Sequence, residues 1–192
     1  MKYPCVYRNY GCREIYKLDL IDGHQQKCQY IPQPCPVNKL DLGTCTWTGI
    51  SSSIMSHLKQ AHNNVCFDYY GRGFFGYRPI QISGVTPDTK HCKLIFTHNA
   101  VFYSRSEIKN GIFYFVMQYV GPAADAGKYR YKLQFVNKNG MEDAMCLPVR
   151  SLDENLSEVH NSGNCVKFYP DQYNEYANER SELSFSMEII TI

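Results

Sequence analysis

The stretch Cys5–His62, CVYRNYGCREIYKLDLIDGHQQKCQYIPQPCPVNKLDLGTCTWTGISSSIMSHLKQAH, decides how the chain is built. It contains eight cysteines and histidines in two sets of four: Cys5, Cys12, His24 and Cys28, then Cys35, Cys45, His57 and His62. In each set eleven residues separate the second Cys from the His. The last member follows after three residues in the first set and four in the second. Both sets open with Pro-Cys, at Pro4-Cys5 and Pro34-Cys35, and a Gly stands just ahead of the second Cys at Gly11 and Gly43. This is an internal repeat of two small modules, residues 1–31 and 32–66.

Tetrahedral Zn²⁺ takes four N or S ligands when its role is structural, and each set offers four. The reading is therefore two structural Zn²⁺ ions, the first on Cys5, Cys12, His24 and Cys28, the second on Cys35, Cys45, His57 and His62. A His followed by a ligand three or four positions later fits one face of a helix. Ser51, Ser52 and Ser53 are N-cap types ahead of Ile54, Met55 and Leu58, and Asp19 or Asp22 is a candidate cap for the first helix. The paired cysteines are expected on a short loop or hairpin turned by Gly11 or Gly43. The competing readings are buried thiols with surface histidines, or a disulfide framework. Neither gives His a reason to repeat, and residues 1–30 lack the cationic-then-apolar plan of a secretory leader.

A nucleic-acid reader is disfavoured. The DNA-reading finger has two to four residues between its cysteines, against six and nine here. Residues 1–66 hold seven Lys and Arg against four Asp and Glu, and the helix SSSIMSHLKQAH has one cation, Lys59. That is a weak field for a phosphate backbone. The whole chain has a formal net charge of +2 and is 44% hydrophobic, with no apolar run long enough to span a membrane. Zinc-type cysteines without a leader place the chain in a reducing compartment, cytoplasm or nucleus.

From about residue 67 the pattern changes to alternation with turns. In Lys128–Val136, Tyr129, Tyr131, Leu133 and Phe135 point one way and Lys128, Arg130, Lys132 and Gln134 the other. Leu183–Ile190 behaves likewise and is expected to need cover at the end of the chain. Ile112–Val120 is apolar on both faces and reads as a central strand. Further strands are expected at Phe74–Tyr77, Ile80–Ser83, Cys92–Thr97, Ala100–Ser104, Ala144–Leu147 and Cys165–Tyr169, with turns at Thr86-Pro87-Asp88, Asn110-Gly111 and Asn139-Gly140 among others. Residues 151–160 suit a short helical turn capped by Ser151, and Asp171–Glu182 a loop or one short helix. About eight strands without helical period predict a mainly β fold: two small tandem zinc fingers in 1–66, then an antiparallel β-sandwich over 67–192, with a barrel as the alternative.

With these motifs assembled, the chain resembles the seven-in-absentia (SIAH/Sina) family over essentially its whole length. The resemblance rests on YPCVYRNYGC, DGHQQKC, PCPV, CTWTG and MSHLKQAH in the first part, and on QYVGPAADAGKYRYKLQF in the second. It implies SIAH-type zinc fingers and a sandwich like that of the TNF-receptor-associated factors (TRAF-like). It also implies recruitment of protein targets for ubiquitin transfer and homodimerisation through the sandwich. Family members of this kind carry a RING finger ahead of the zinc modules. This sequence starts four residues before Cys5, so no RING-dependent transfer is expected of the chain alone, and a RING-less adaptor of the same fold is the alternative. Nine residues between Cys35 and Cys45 exceed the family's gap and imply an enlarged loop at Pro36–Thr44. The family's peptide groove includes a Trp on an early sandwich strand. Here the single Trp is Trp47, and the corresponding segment near Asp88–Ile95 offers Lys90, His91 and Cys92.

Partner binding is expected by β-strand addition, with Cys92–Ser104 as the peptide-lining edge by family position. Tyr69, Tyr70, Phe74, Phe75 and Tyr77 are expected to pack between the zinc region and the sandwich. Catalytic sites are not expected. Cys66, Cys92, Cys146 and Cys165 read as small buried hydrophobes, His98 and His160 as surface or loop residues, and His91-Cys92 point to opposite faces of a strand.

Overall fold

A computed structural model of the chain describes residues 1–40, 42–69, 73–77, 79–82 and 90–192. It divides into two compact units, Met1–Asn64 and Val65–Ile192. The expected turn at Thr86-Pro87-Asp88, Tyr70, Ser83 and the first two residues of the Asp88–Ile95 segment lie outside the described residues.

The first unit uses one plan twice, a minimal hairpin followed by a helix. Strand β1 (Lys2–Pro4) pairs antiparallel with β2 (Ile15–Lys17), and α1 (Leu18–Gln25) follows at once. Strand β3 (Gln33–Pro34) pairs with β4 (Thr48–Gly49), and α2 (Ser51–Ala61) follows. The expected side-chain caps are absent: Lys17 and Ile50 occupy the N-cap positions and bond no helix amide through their side chains. Asp19 sits instead in the first turn of α1, where its charge favours the helix dipole. Ile21 is buried from α1, and Ile54 and Leu58 from α2. Such modules fall below the size at which an apolar core alone suffices.

The second unit is a two-layer sandwich, built from strands β5 (Cys66–Asp68), β6 (Phe75–Gly76), β7 (Ile80–Gln81), β8 (Lys90–Thr97), β9 (Ala100–Lys109), β10 (Ile112–Tyr119), β11 (Tyr129–Val136), β12 (Glu142–Pro148), β13 (Arg150–Ser151), β14 (Val166–Phe168), β15 (Glu182–Leu183) and β16 (Phe185–Thr191). Among the described residues three short helices intervene, α3 (Ala123–Ala126), α4 (Leu156–Asn161) and α5 (Pro170–Tyr176). One sheet runs β13-β10-β9-β8-β5, with β14 also on β10; the other runs β12-β11-β16-β6. The long pairings are antiparallel, and only the short β5 and β13 join in parallel.

The period-2 alternation sets the core. Tyr131, Leu133 and Phe135 of β11 and Phe185, Met187 and Ile189 of β16 turn inward, to meet Phe113, Phe115 and Met117 of β10. The Phe115 ring lies 5.3 Å from Phe185 and 5.8 Å from Tyr131, the Phe185 contact edge-on. Tyr77 joins this core, stacked on Phe185 at 4.9 Å. The β9–β10 hairpin turns on Asn110-Gly111, both left-handed, as the dipeptide predicts. The β8–β9 hairpin turns on His98-Asn99, also left-handed but without glycine.

Several expectations are corrected. Strand β9 runs on to Lys109 because Ser104 and Ser106 face the core; the Ser104 hydroxyl is bonded to the Tyr77 hydroxyl at 3.1 Å. Ala100–Ser104 therefore lies in an interior strand between β8 and β10, not on an edge. The final strand β16 is also interior, between β11 and β6, and His98 Nε2 donates to the Ile189 carbonyl at 2.8 Å. Ser151 belongs to β13, and the helix after it starts at Leu156, capped by Asn155 Oδ1 on the Ser157 amide. Of the four extra cysteines only Cys165 is buried; Cys66 and Cys92 are half-buried and Cys146 is exposed. His160 is buried rather than superficial.

Candidate functional site

The eight Cys and His side chains of the repeat come together as two groups, Cys5, Cys12, His24 and Cys28, and Cys35, Cys45, His57 and His62. Within each group the four candidate ligand atoms lie within 4.8 Å of one another.

In the first module a 3₁₀ turn, Val6–Tyr10, carries the chain from Cys5 to Cys12. The Cys5 amide donates to the Glu14 carbonyl, Arg8 and Gly11 amides close the turn, and the Cys12 amide returns to Tyr7. Gly11 has φ of 110°, and a Cβ there would sit 3.0 Å from the Tyr30 ring, so the knuckle needs glycine twice over. His24 lies in the last turn of α1, while Cys28 lies beyond the helix end, on the turn after Gln25. The pair thus spans a helix and its exit rather than one helical face.

The second module replaces the short turn by a larger loop. The Cys35 amide donates to the Trp47 carbonyl, and a 3₁₀ turn, Pro36–Asn38, follows. Asn38 then clamps the far end: its Nδ2 donates to the Cys45 carbonyl at 2.7 Å and its Oδ1 accepts from the Cys45 amide at 2.6 Å. Val37 and Leu40 of this loop are buried, and Cys35 and Cys45 at its ends still reach one ligand group. His57 projects from α2 and His62 is that helix's C-cap residue.

The donor geometry tests the fit of zinc. With Zn–S about 2.3 Å and Zn–N about 2.0–2.1 Å, tetrahedral angles require S···S near 3.8 Å and S···N near 3.5 Å. Cys5 Sγ and Cys28 Sγ are 3.8 Å apart, and Cys12 Sγ is 3.4 Å from His24 Nε2. In the second group Cys35 Sγ is 3.5 Å from His62 Nε2, Cys45 Sγ is 3.5 Å from His57 Nε2, and His57 Nε2 is 3.2 Å from Cys35 Sγ. All nine cysteines are free of disulfides. Burial pushes the Cys28 and Cys35 thiols up and the His57 imidazole down. Neutral His is the form that binds metal, and the protonated thiols must lose their protons as it binds. Two closed, four-ligand zinc centres follow, structural in type, since each set uses all four positions on protein atoms.

An aromatic ring backs one histidine in each centre: Tyr16 lies 4.6 Å from His24, and Trp47 lies 4.2 Å from His57. Cysteine spacing does not announce these rings; the signal is an aromatic eight to ten residues ahead of the His, on the second hairpin strand or just before it.

In the second unit the half-buried Cys92 is not an activated thiol. The Cys92 thiol takes a 2.9 Å hydrogen bond from the Tyr103 hydroxyl, and burial pushes it up, away from thiolate. Within this unit the Phe75 ring lies 5.6 Å from Phe67 and 4.2 Å from Tyr69. No described helix is long and apolar enough to cross a membrane.

Residues 1–71 match the Sina zinc-finger family. The chain is 24% identical over 175 residues to the E3 ubiquitin-protein ligase siah-1 of Caenorhabditis briggsae, covering 88% of this chain and 39% of that protein. It is 22% identical over 189 residues to the E3 ubiquitin-protein ligase sina of Schistosoma mansoni, covering 97% of this chain and 49% of that protein. With sina of Drosophila melanogaster it shares 24% identity over 172 residues, 88% of this chain and 53% of that protein. The chain therefore spans about half the length, or less, of these relatives.

Proposed function

We propose, on the premise that this chain is a relative of the seven-in-absentia proteins, that it is a zinc-stabilised protein-recruiting module, the substrate-recognition region of a SIAH-type ubiquitin ligase. The observation that carries this is alignment over 88% to 97% of the chain with proteins named as E3 ubiquitin ligases. Two zinc centres, each closed on four protein ligands, hold the first unit in shape and leave no open metal position, as suits a binding role. In this reading the zinc modules act as a rigid element, and the sandwich takes an extended segment of the partner by strand addition. The chain works as a homodimer joined through its sandwich units, in the cytoplasm or nucleus, where the ligand thiols stay reduced.

The test is capture of interacting proteins on the intact, zinc-loaded chain, against the Cys5→Ala variant and against residues 65–192. Light scattering at micromolar concentration accompanies it. Partners held by the intact chain and ubiquitinated by the native protein with an added charged conjugating enzyme support the ligase reading. Partners held with no ubiquitin transfer in the native protein point to an adaptor of the same fold. No specific partner, and a monomer, overturn the recruiting and the dimer readings respectively.

A further inference from the structure

The four-stranded sheet has one long edge that the fold leaves open. Strand β12 is paired with β11 along all seven of its residues, and no other described strand pairs with it. The opposite edge is occupied by β6, which lies against Ser186 and Met187 of β16. Open edges are ordinarily guarded by charge, proline or brevity. On β12 those guards stand only at the ends, Glu142 and Asp143 at one and Pro148 at the other, leaving Ala144, Met145, Cys146 and Leu147 between them. This stretch is exposed or half-buried throughout.

A cleft of about 560 Å³ adjoins the acidic end of this strand. Its lining includes Gln134 and Val136 of β11, Ser186 of β16, Lys138 of the hairpin turn, Glu142 of β12, and Asn178 and Glu182 beyond α5. The size falls within the range of sites that hold a ligand or a side chain. Among the described residues, Glu142 and Glu182 of this lining and Asp143 next to Glu142 have neutral partners only. Glu142 accepts from Gln134 Nε2 at 2.6 Å, Asp143 from the Tyr176 hydroxyl at 2.9 Å, and Glu182 from Asn178 Nδ2 at 2.9 Å. None of the three has a cation at ion-pair distance among the described residues. Elsewhere on the same sheet charges are matched, as Lys132 is with Glu188 at 3.6 Å.

We propose that β12 accepts an extended peptide of a partner protein as a fifth strand, with a basic residue of that peptide set against Glu142 and reaching into the adjoining cleft. This rests on the recruiting function proposed above and gives it a surface and a ligand chemistry. Backbone pairing along Ala144–Leu147 supplies affinity without regard to sequence, and the carboxylates, which have no ion-pair partner among the described residues, select Arg or Lys at the peptide's end of the edge. A second copy of the chain is the rival occupant of an open edge. It brings Glu142 and Asp143 of its own but no cation on β12 to answer them.

The experiment uses the zinc-loaded full chain and acetylated nine-residue Thr-Val peptides with Arg, Lys, Gln or Glu at the fifth position. Backbone amide exchange and fluorescence anisotropy are the readouts. The Arg and Lys peptides are expected to protect the amides of Ala144–Leu147. They are expected to bind roughly fivefold tighter than the Glu peptide, the upper range for an exposed ion pair. The Glu142→Gln, Glu182→Gln double variant, with unchanged circular dichroism, is expected to lose that preference while keeping the residual binding. Absence of protection by every peptide overturns the proposal, as does equal binding of the Arg and Glu peptides. Protection of these amides without peptide in a dimeric sample also overturns it, by giving the edge to a second copy. Partners captured equally by the wild type and the double variant leave the recruiting function standing and remove this site alone.

Discussion

The indole of Trp47 stacks flat on the imidazole of His57, ring centroids 4.2 Å apart and planes within 3°. A ligand histidine is thereby held in one orientation by packing, the service that a hydrogen-bonded neighbour performs in other metal centres. The stack depends on Gly49: a Cβ on that residue would fall 2.3 Å from the Trp47 ring. Replacing Trp47 by Ala frees the imidazole, and Gly49→Ala pushes the indole off it. Both are expected to lower the zinc affinity of the second centre by about tenfold or more, the size of outer-shell effects, and to leave the first centre unchanged. A competition titration with a chromophoric chelator, resolving two zinc equivalents, reads this directly. Equal affinity of the two centres in both variants would remove the positioning role from Trp47.

Chelation separates the two units. The first unit buries little apolar surface beyond Ile21, Val37, Leu40, Ile54 and Leu58, whereas the second holds a continuous core from Tyr77 to Ile189. Zinc contributes about 10–16 kcal/mol to modules of the first kind near neutral pH. Excess chelator is expected to abolish exchange protection in residues 1–64 and to keep it in β10, β11 and β16. Loss of protection in both units together would contradict this separation.

Much of this was legible from the chain, and the reasons differ by element. The ligand sets could be read because metal chemistry constrains residue type and spacing at once, and Cys5 to His62 satisfies both twice. Strands β11 and β16 could be read because alternate residues meet core and solvent. Strand β9 breaks that rule: Ser104 and Ser106 are polar yet face the core, and Ala100–Ser104 lies in an interior strand where family position offered a peptide-lining edge. The hairpin at His98-Asn99 carries no glycine to announce it. Burial of His160 depends on α4 lying over the outer face of β10, where Val159 and Leu156 pack on Val116, a long-range contact with no local signal.

The core makes a plain prediction. Phe115, on β10, is fully buried and touches the rings of Tyr131 and Phe185 of the facing sheet and of Tyr77 just after β6. Phe115→Ala removes that volume where three neighbours cannot all collapse inward, and is expected to cost about 3–5 kcal/mol. Urea denaturation of the zinc-loaded chain, followed by tyrosine fluorescence and fitted over the transition of the second unit, measures it. A change below about 1 kcal/mol would mean that the two sheets do not meet at this ring.

His160 ties stability to pH. Its ring stacks on Tyr114 at 4.3 Å, it is 8% exposed, and its Nε2 has no hydrogen-bond partner. Burial holds its pKa below the ordinary histidine value; Glu107, whose Oε1 lies 3.6 Å from the ring, is the largest opposing influence, and Arg105, Lys109 and Lys167 each push down by less. Glu107 is itself engaged by Arg105, whose Nε donates to it at 2.9 Å. The unfolded chain therefore takes up a proton on this residue at a higher pH than the folded one. The neutral ring's contribution is fully present above the unfolded pKa of about 6.5, and declines as pH falls through that value toward the depressed folded one. Melting of the second unit is expected to occur at lower temperature at pH 5 than at pH 7. His160→Gln, which cannot titrate, is expected to flatten that difference while costing some stability at both pH values through the lost ring stack. Since the zinc ligands also titrate with acid, the comparison belongs to exchange protection in β10 and α4, not to the whole-chain melt. An unchanged slope of protection against pH in His160→Gln would show that this imidazole is not the titrating group.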